Sequence, residues 1–266
     1  MTRDRAGKLY VVGMGCGSRE GMTIEAQQAI TDSDLIVGYT VYTNLLKGMF
    51  PEKEMRSTGM RREVDRVTMA LEEAGSGKTV SLVCSGDAVV YGMAALTIEL
   101  CAEMKQGADP EKEWTPPEIQ MIAGVTAALS GGALLGAPLT SDFAVISLSD
   151  LLTPMEKIER RLRAAGEGDF AMAIYNPTSK GRPHHLQRAC EILLESRSPE
   201  NLCGYVRQIG REGQESGILT LGELKDFQAD MFTTVFVGSS DTVVIDGKLV
   251  TPRGYRAGRT DPDTEG

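Results

Sequence analysis

The sequence has few of the residues that build metal sites and disulfide frameworks. Its 266 residues include five cysteines, none in a Cys-x-x-Cys pair, and an odd number of cysteines leaves a disulfide framework incomplete. The two histidines, His184 and His185, are adjacent, and adjacent side chains on a helix point about 100° apart. We therefore predict no metal site, and reduced cysteines of the kind found in the cytoplasm.

Positive charge is also in short supply. The chain has 28 lysines and arginines against 37 aspartates and glutamates, which gives a formal net charge of −9. Nucleic-acid binding depends on cationic contacts to phosphates, so we predict no nucleic-acid partner. Residues 1–8 lack the apolar core of a signal peptide, and glycines and Pro138 interrupt the charge-free residues 122–141. We interpret residues 122–141 as a buried helix and turn, and we predict no membrane association.

What the sequence does contain is a regular alternation of apolar, strand-like runs with helical runs. This alternation is typical of α/β layers around parallel or mixed sheets. The length favours two domains, which we predict over residues 1–136 and 137–255, followed by a disordered tail over residues 256–266. Strands are predicted at residues 9–12, 35–37, 79–84, 118–122, 143–148, 170–175, 202–206 and 233–237, and helices at residues 23–31, 60–74, 93–104, 154–165 and 183–195.

A glycine-rich loop, Gly13-Met14-Gly15-Cys16-Gly17, follows the first predicted strand. Such a loop allows a backbone to approach a phosphate, as in nicotinamide-dependent oxidoreductases. Two details weaken that interpretation. The third glycine comes one position early for Gly-x-Gly-x-x-Gly, and the second strand ends at Gly38-Tyr39, where a ribose-binding acid is expected. A tight structural turn is the alternative.

Two further segments follow apolar strands in the first half. Ser85-Gly86-Asp87 stands at the end of the strand over residues 79–84, and Gly124-Val125-Thr126-Ala127 follows the strand over residues 118–122. The C-terminal edge of such a sheet is where α/β proteins bind ligands. From spacing alone, Asp87 and Thr126 are equally typical of helix N-caps. In the second half, Tyr175-Asn176-Pro177 and Gly210-Arg211-Glu212 also follow strands, and either could be a simple turn.

A cationic stretch begins at Met60. Within a helix over residues 60–74, Arg62 and Arg66 share one face, and Arg61 and Asp65 are spaced to pair along another. A solvated surface helix is the alternative interpretation. Tyr39 and Tyr42, just after the second strand, offer two aromatic rings that either flank a flat ligand or pack in the core.

Taken in chain order, these segments resemble the tetrapyrrole methylases, which use S-adenosylmethionine as methyl donor. Residues 86–92 match the family's Gly-Asp-x-x-x-Tyr-Gly motif, residues 124–127 match the next motif, and Val250-Thr251-Pro252-Arg253-Gly254-Tyr255 forms the C-terminal motif. The resemblance extends over residues 9–255 and is strongest to the members that methylate carbon 17 of precorrin-3B and contract its ring in cobalamin biosynthesis. It implies two αβα domains with the cofactor in the cleft between them, a tetrapyrrole substrate, a homodimer and a cytoplasmic location.

The resemblance also implies site residues. Those expected to contact S-adenosylmethionine are Cys16, Ser85, Gly86, Asp87, Val90, Thr126, Ala127, Tyr175, Asn176 and Gly210. A tetrapyrrole at this stage bears many carboxylates, which call for local cations. Those expected to contact it are Tyr39, Tyr42, Arg62, Arg66 and Arg253.

One departure from the family leaves the chemistry incomplete. The family commonly has His before Asp-Phe in its interdomain stretch, whereas this chain has Ser141. No catalytic acid or base is therefore assigned, and the substrate is either metal-free precorrin-3B or its cobalt complex. The alternatives are a corrin methylase that acts at another carbon, a nicotinamide-dependent oxidoreductase, and a tetrapyrrole carrier without catalytic activity.

Overall fold

The computed structural model describes residues 7–107, 114–179 and 181–255. The chain divides into two compact units, residues 1–130 and residues 131–266, and the division falls inside one helix. The sequence placed the boundary slightly later, after residue 136, in the segment that follows this helix. The predicted disordered tail, residues 256–266, lies outside the described residues.

The first unit has a five-stranded parallel sheet in the order β3-β2-β4-β1-β5. Its elements are β1 Lys8–Gly13, α1 Ile24–Asp32, β2 Leu35–Tyr39, α2 Thr40–Met49, β3 Glu54–Thr58, α3 Glu63–Gly75, β4 Thr79–Cys84, α4 Ala94–Gln106 and β5 Glu118–Ile122. The predicted α/β architecture is confirmed. Helix α1 begins after Thr23, whose hydroxyl accepts a hydrogen bond from the amide of Ala26, as an N-cap does.

Helix α2 and strand β3 were not predicted. The sequence of α2 opens Thr-Val-Tyr-Thr-Asn, a run with low intrinsic helix propensity. Strand β3 reads Glu-Met-Arg-Ser-Thr and lies at the edge of the sheet, so it lacks the apolar run of a central strand. Both elements form because the sheet provides partners that local sequence does not reveal.

The sheet of the first unit separates two hydrophobic cores. On one face, Leu9, Val11, Val80 and Leu82 pack with helices α3 and α4. On the other face, Val12 and its neighbours pack with helices α1 and α2. The loop after β1 therefore leads to one face and the loop after β4 to the opposite face. Because β1 and β4 are adjacent, the sheet has its topological switch point between them, where ligands bind in open α/β sheets.

The strand order separates this unit from the dinucleotide-binding fold. The Rossmann order is 3-2-1-4-5, in which the first two strands are neighbours. Here β4 lies between β2 and β1, so the positions of β1 and β4 are exchanged. Strand β2 ends at Tyr39, and the next residue, Thr40, already begins α2. Both the topology and the absence of an acid at that strand end count against the nicotinamide interpretation.

The second unit has a mixed sheet in the order β10-β9-β11-β8-β7 and a small sheet in the order β12-β13-β6. After helix α5 (Ala127–Leu135), its elements are β6 Gly136–Ala137, β7 Phe143–Ser147, α6 Met155–Glu167, β8 Ala171–Tyr175, α7 His185–Leu193, β9 Leu202–Arg207, β10 Glu215–Thr220, α8 Leu221–Leu224, β11 Thr233–Val237, β12 Val243–Ile245 and β13 Lys248–Val250. Helix α5 and the turn after it lie within residues 122–141, where a helix and turn were predicted. The predicted burial is wrong for part of the helix, because Leu129 and Leu134 are exposed. Across the described residues, none of the helices is both long and apolar enough to cross a bilayer.

Strand directions bring three loop segments to one edge of the mixed sheet. Strands β7 and β8 are parallel, and β11 runs antiparallel to both β8 and β9. Strands β7, β8 and β9 therefore point the same way, so Ser147, Tyr175 and Arg207 end at a common edge. The core on one face of this sheet contains helices α6, α7 and α8.

Candidate functional site

Three glycines pack together where β1, β4 and β5 end in the first unit. A Cβ atom placed on Gly124 would lie 2.2 Å from the carbonyl oxygen of Gly86 and 2.4 Å from that of Gly13. A Cβ atom on Gly13 would lie 2.7 Å from the amide nitrogen of Gly124. No Cβ atom fits on Gly13 or Gly124, so the backbones of the three loops approach one another directly at this point. We call Gly13, Gly86 and Gly124 the glycine junction.

Two hydrogen bonds join the loops after β1 and β4 at the switch point. The amide of Gly15 donates to the carbonyl of Gly86 over 3.0 Å, and the amide of Gly86 donates back to Gly15 over 2.7 Å. Both residues have positive φ angles, 69° and 67°, which glycine adopts without steric cost. Cys16, the next residue, donates from its Sγ to the carbonyl of Val125 in the loop after β5.

Asp87 ties the loop after β4 to the loop after β5. Its side chain is buried, with the residue only 6% exposed. One carboxylate oxygen, Oδ1, accepts hydrogen bonds from the amides of Val89 and Val90, at 2.8 and 3.2 Å. The other, Oδ2, accepts from the amide of Gly124 at 2.8 Å. Helix α4 begins later, after Met93, so the alternative of Asp87 as its N-cap is wrong.

The remaining predicted cofactor residues of the first unit lie around this junction. Thr126 precedes helix α5, and Ala127 is its first residue. A Cβ atom on Gly86 would lie 3.4 Å from the Cα of Thr126, in ordinary contact. Ser85, Val90, Thr126 and Ala127 are all half-buried. The structure therefore brings the predicted residues of three separate sequence segments to one edge of one sheet.

Arg66 is buried, whereas the sequence predicted an open cationic face. The residue is 3% exposed, and its guanidinium donates to the hydroxyl of Thr58, the carbonyl of Gly59 and the sulfur of Met93. It also lies over the ring of Tyr39, 5.7 Å from the centroid. Burial lowers the pKa of the Arg66 guanidinium from its usual value, although an arginine stays charged near neutral pH. Among the described residues, no carboxylate forms an ion pair with it.

Arg62 lies outside the helix. Helix α3 begins at Glu63, and Arg62 is its N-cap, preceded by Arg61 with a φ angle of 62°. The predicted common helical face of Arg62 and Arg66 is therefore wrong. The left-handed conformation of Arg61 is incompatible with a helix, so the helix starts only at Glu63 and does not include Arg62. The predicted pairing of Arg61 with Asp65 is also wrong, since Arg62 pairs with Asp65 instead. The side chain of Arg62 is 64% exposed.

The two predicted aromatic residues are in contact. The rings of Tyr39 and Tyr42 meet edge to face with centroids 5.2 Å apart. Both residues are half-buried, and the ring of Tyr39 also contacts the buried guanidinium of Arg66. The cluster lies after β2, beside the β4 loop that carries Met93.

In the second unit, the predicted residues lie at the edge where β7, β8 and β9 end. Tyr175 ends β8, and Asn176 follows it with a φ angle of 52°. Gly210 lies just beyond β9 with a φ angle of 68°, and its amide donates to the side chain of Gln214. Gln208 has a φ angle of 54°, a left-handed conformation that is uncommon outside glycine.

The C-terminal motif is fixed by one buried threonine. The hydroxyl of Thr251 donates to the carbonyl of Pro138 and lies 2.8 Å from the hydroxyl of Thr242. Strand β13, just before it, pairs with β6. Arg253 is exposed and lies over the ring of Tyr255. The motif therefore combines an anchored start with an exposed cation.

Three of the buried cysteines, Cys84, Cys190 and Cys203, are poor nucleophiles. Burial raises the pKa of the Cys84 thiol to about 11 and that of the Cys190 thiol to about 12, so both stay protonated near neutral pH. Burial likewise raises the pKa of Cys203. Within residues 7–107, 114–179 and 181–255, acidic, histidine and cysteine side chains do not gather in threes around a point where a metal ion would bind.

A polar cavity of about 660 Å³ lies at the opposite edge of the mixed sheet, away from the predicted residues. The buried Arg197 lines it and donates to the backbone carbonyls of Ala165, Gly166, Phe170 and Gly238. It also pairs with Asp169 at 2.7 Å. Because its donors serve the protein's own backbone, Arg197 is a structural cross-link.

Sequence reasoning missed Ser147, which ends β7 beside Tyr175. Its hydroxyl accepts a hydrogen bond from the side chain of Asn176 at 2.9 Å. The available signal was a serine one residue before the end of the predicted strand over residues 143–148, but its partner lies 29 residues away in sequence.

Comparisons with known proteins agree on one family. The sequence profile described as Tetrapyrrole (Corrin/Porphyrin) Methylases matches residues 8–225. A protein of Salmonella typhimurium strain LT2, named probable cobalt-factor III C(17)-methyltransferase, is 44% identical over 247 residues, covering 93% of this chain and 99% of that protein. A precorrin-3B C(17)-methyltransferase of Sinorhizobium sp is 39% identical over 254 residues, covering 94% of this chain and 97% of that protein. The crystal structure of the methyltransferase CobJ superposes with a TM-score of 0.82 at 38% identity, covering 92% of this chain and 100% of that chain.

Proposed function

The chain belongs to the tetrapyrrole methylase family, and from this premise we propose that it methylates carbon 17 of a corrin precursor. The methyl donor is S-adenosylmethionine, and the acceptor is cobalt-factor III or precorrin-3B, the compounds in the names of its relatives. Methylation is accompanied by contraction of the macrocycle, in cobalamin biosynthesis. The observation that carries the proposal is the glycine junction with Asp87 at the switch point of the first unit.

The residues at this edge fit a cofactor held mainly through backbone. At the glycine junction the backbones of the loops are in direct contact, and the Asp87 carboxylate accepts hydrogen bonds from amides of the protein itself. We assign Cys16, Ser85, Gly86, Val90, Thr126 and Ala127 of the first unit to cofactor contacts, with Asp87 holding the two loops. From the resemblance, we assign Tyr175, Asn176 and Gly210 of the second unit to the same molecule.

Methyl transfer from a sulfonium does not require a catalytic acid, base or nucleophile from the protein. The acceptor carbon attacks the methyl carbon, the carbon–sulfur bond breaks, and S-adenosylhomocysteine leaves as a neutral sulfide. Catalysis then rests on holding carbon, methyl and sulfur close to a line and on excluding water. The protonated thiols of Cys84 and Cys190 agree with a route that has no covalent enzyme intermediate.

The substrate carboxylates need cations that solvent can reach. Arg62 and Arg253 are exposed, and we assign them to carboxylates of the tetrapyrrole. Tyr39 and Tyr42 present the aromatic surface for the macrocycle. Arg66 stays in the proposed substrate site, where its buried guanidinium packs over the ring of Tyr39 and holds it in place. A cytoplasmic location and a homodimer remain predictions from the resemblance.

Calorimetric titration with S-adenosylhomocysteine tests the cofactor assignment. We expect saturable binding without added metal, because the proposed contacts are backbone groups and uncharged side chains. NADH serves as the control ligand, and we expect it not to bind, because β2 ends at Tyr39 without a ribose-binding acid. Binding of NADH together with no binding of S-adenosylhomocysteine at millimolar concentration would favour an oxidoreductase over a methylase.

A further inference from the structure

Asn176 is held in an unusual backbone conformation. Its φ angle is 52°, in the left-handed region, and the next residue is Pro177. A following proline restricts the preceding residue to extended conformations, so this geometry is sparsely populated in a free chain. Asparagine tolerates the left-handed region better than most residues, but the surrounding structure must still select it.

The side chain of Ser147 stabilises the left-handed conformation of Asn176. The side-chain amide of Asn176 donates to the hydroxyl oxygen of Ser147 over 2.9 Å. The same oxygen accepts from the backbone amide of Ser149 over 3.2 Å, which orients its lone pairs. Ser147 is itself fixed, because it ends β7 in register with Tyr175, and the amide of Leu148 donates to the carbonyl of Tyr175.

We propose that Ser147 is a positioning residue for the cofactor site, acting through Asn176. Its hydroxyl holds Asn176 in the left-handed conformation, which turns the main chain of Tyr175 and Asn176 outward at the end of β8. Asn176 is exposed and its neighbour Tyr175 half-buried, so a ligand can reach this turn at the end of β8. The inference rests on the proposed function, in which these two residues contact S-adenosylmethionine.

The test is a double-mutant cycle that measures S-adenosylhomocysteine affinity by calorimetry. Ser147→Ala should raise the dissociation constant about three- to tenfold, the effect of one hydrogen bond. Ser147→Thr, which keeps the hydroxyl, should restore the wild-type value. Asn176→Gly adopts the left-handed conformation without an anchor, so adding Ser147→Ala to it should cause no further loss of affinity.

A matched control separates positioning from general destabilisation. Ser240 donates its hydroxyl to Asp169 at the opposite edge of the same sheet. Ser240→Ala should lower the melting temperature about as much as Ser147→Ala, yet leave the affinity unchanged. The Michaelis constant for the tetrapyrrole should stay at the wild-type value in both variants, because neither serine is among the residues assigned to the substrate.

Two results would overturn the role of Ser147. One is a Ser147→Ala variant that binds S-adenosylhomocysteine as tightly as the wild type. The other is a loss of affinity that persists at full size in the Asn176→Gly background, since the hydroxyl would then act independently of Asn176. Failure of the wild-type protein itself to bind S-adenosylhomocysteine would refute the proposed function, and the role of Ser147 with it, so the two failures are distinguishable.

Discussion

Replacing Asp87 with alanine is expected to abolish measurable binding of S-adenosylhomocysteine and to destabilise the fold at the same time. The carboxylate satisfies the amides of Val89, Val90 and Gly124, and all three hydrogen bonds are to an ionised acceptor. Removing it leaves three backbone donors in a partly buried site without their acceptor, which costs about 2 to 4 kcal/mol of unfolding free energy, a large effect for one substitution. The loops after β4 and β5 then lose the cross-link that holds them together.

Asp87→Asn should fall between the wild type and the alanine variant. An amide has one oxygen, so it can accept from the Val89–Val90 side or from Gly124, but not from both. Denaturant unfolding and calorimetric titration measure the two effects separately. We expect the free energy of unfolding and the affinity for S-adenosylhomocysteine both to decline in the order wild type, Asp87→Asn, Asp87→Ala.

Asp34 offers the matched control for Asp87. Its carboxylate also accepts from a backbone amide, that of Thr79, but at the opposite edge of the same sheet. Asp34→Ala should therefore leave the affinity unchanged. If Asp87→Ala lost affinity at wild-type stability, Asp87 would contact the ligand directly. If it lost stability at wild-type affinity, the carboxylate would be structural only.

Separate substitution of Arg66 and Arg62 should give two different phenotypes. Arg66→Ala removes a buried side chain with three hydrogen-bonded contacts and leaves a cavity beside Tyr39 and Met93. We expect a loss of about 2 to 4 kcal/mol in unfolding free energy. Arg62→Ala removes an exposed side chain, so stability should change by less than about 0.5 kcal/mol.

Michaelis constants distinguish the role of Arg62 from that of Arg66. Arg62→Ala should raise the Michaelis constant for the tetrapyrrole a fewfold and leave that for S-adenosylmethionine unchanged. The wild-type affinity for the tetrapyrrole should weaken as salt concentration rises, because the contact is exposed. A wild-type Michaelis constant in Arg62→Ala would transfer the carboxylate-binding role to Arg253. Wild-type stability in Arg66→Ala would contradict the supporting role of its buried charge.

The sequence predicted the central strands because each is an apolar run with a turn signal at its end. Strands β4, β5 and β11 begin and end where the pattern placed them. The edge strands β3 and β10 were missed because both are largely polar, whereas the edge strands β5 and β7 were predicted. The architecture follows from the alternation of elements, whereas the order of strands does not.

The error at Arg62 and Arg66 shows where periodicity fails. A helical face is predictable only when the first residue of the helix is known, and the left-handed Arg61 moves that start to Glu63. The neighbouring residues in the sequence do not predict a left-handed conformation for Arg61. The burial of Arg66 depends on Tyr39 and Met93, which lie on neighbouring strands and loops rather than nearby in sequence.

The glycine junction was only partly predictable. Each glycine-containing segment was visible as a break after an apolar strand. Their convergence depends on β1 lying between β4 and β5, which places Gly13, Gly86 and Gly124 at one point. The partnership of Asp87 with Gly124, 37 residues apart, follows from the same arrangement. Sequence therefore identified the segments of the site, and topology decided how they meet.

Mass spectrometry of the reaction products tests the central claim most directly. The protein is incubated with methyl-labelled S-adenosylmethionine and, in separate reactions, with precorrin-3B and with cobalt-factor III. We expect one of the two to gain a single labelled methyl group on carbon 17 of a contracted ring, together with an equal amount of S-adenosylhomocysteine. A label on another carbon, or no transfer of label to either compound, would contradict the account.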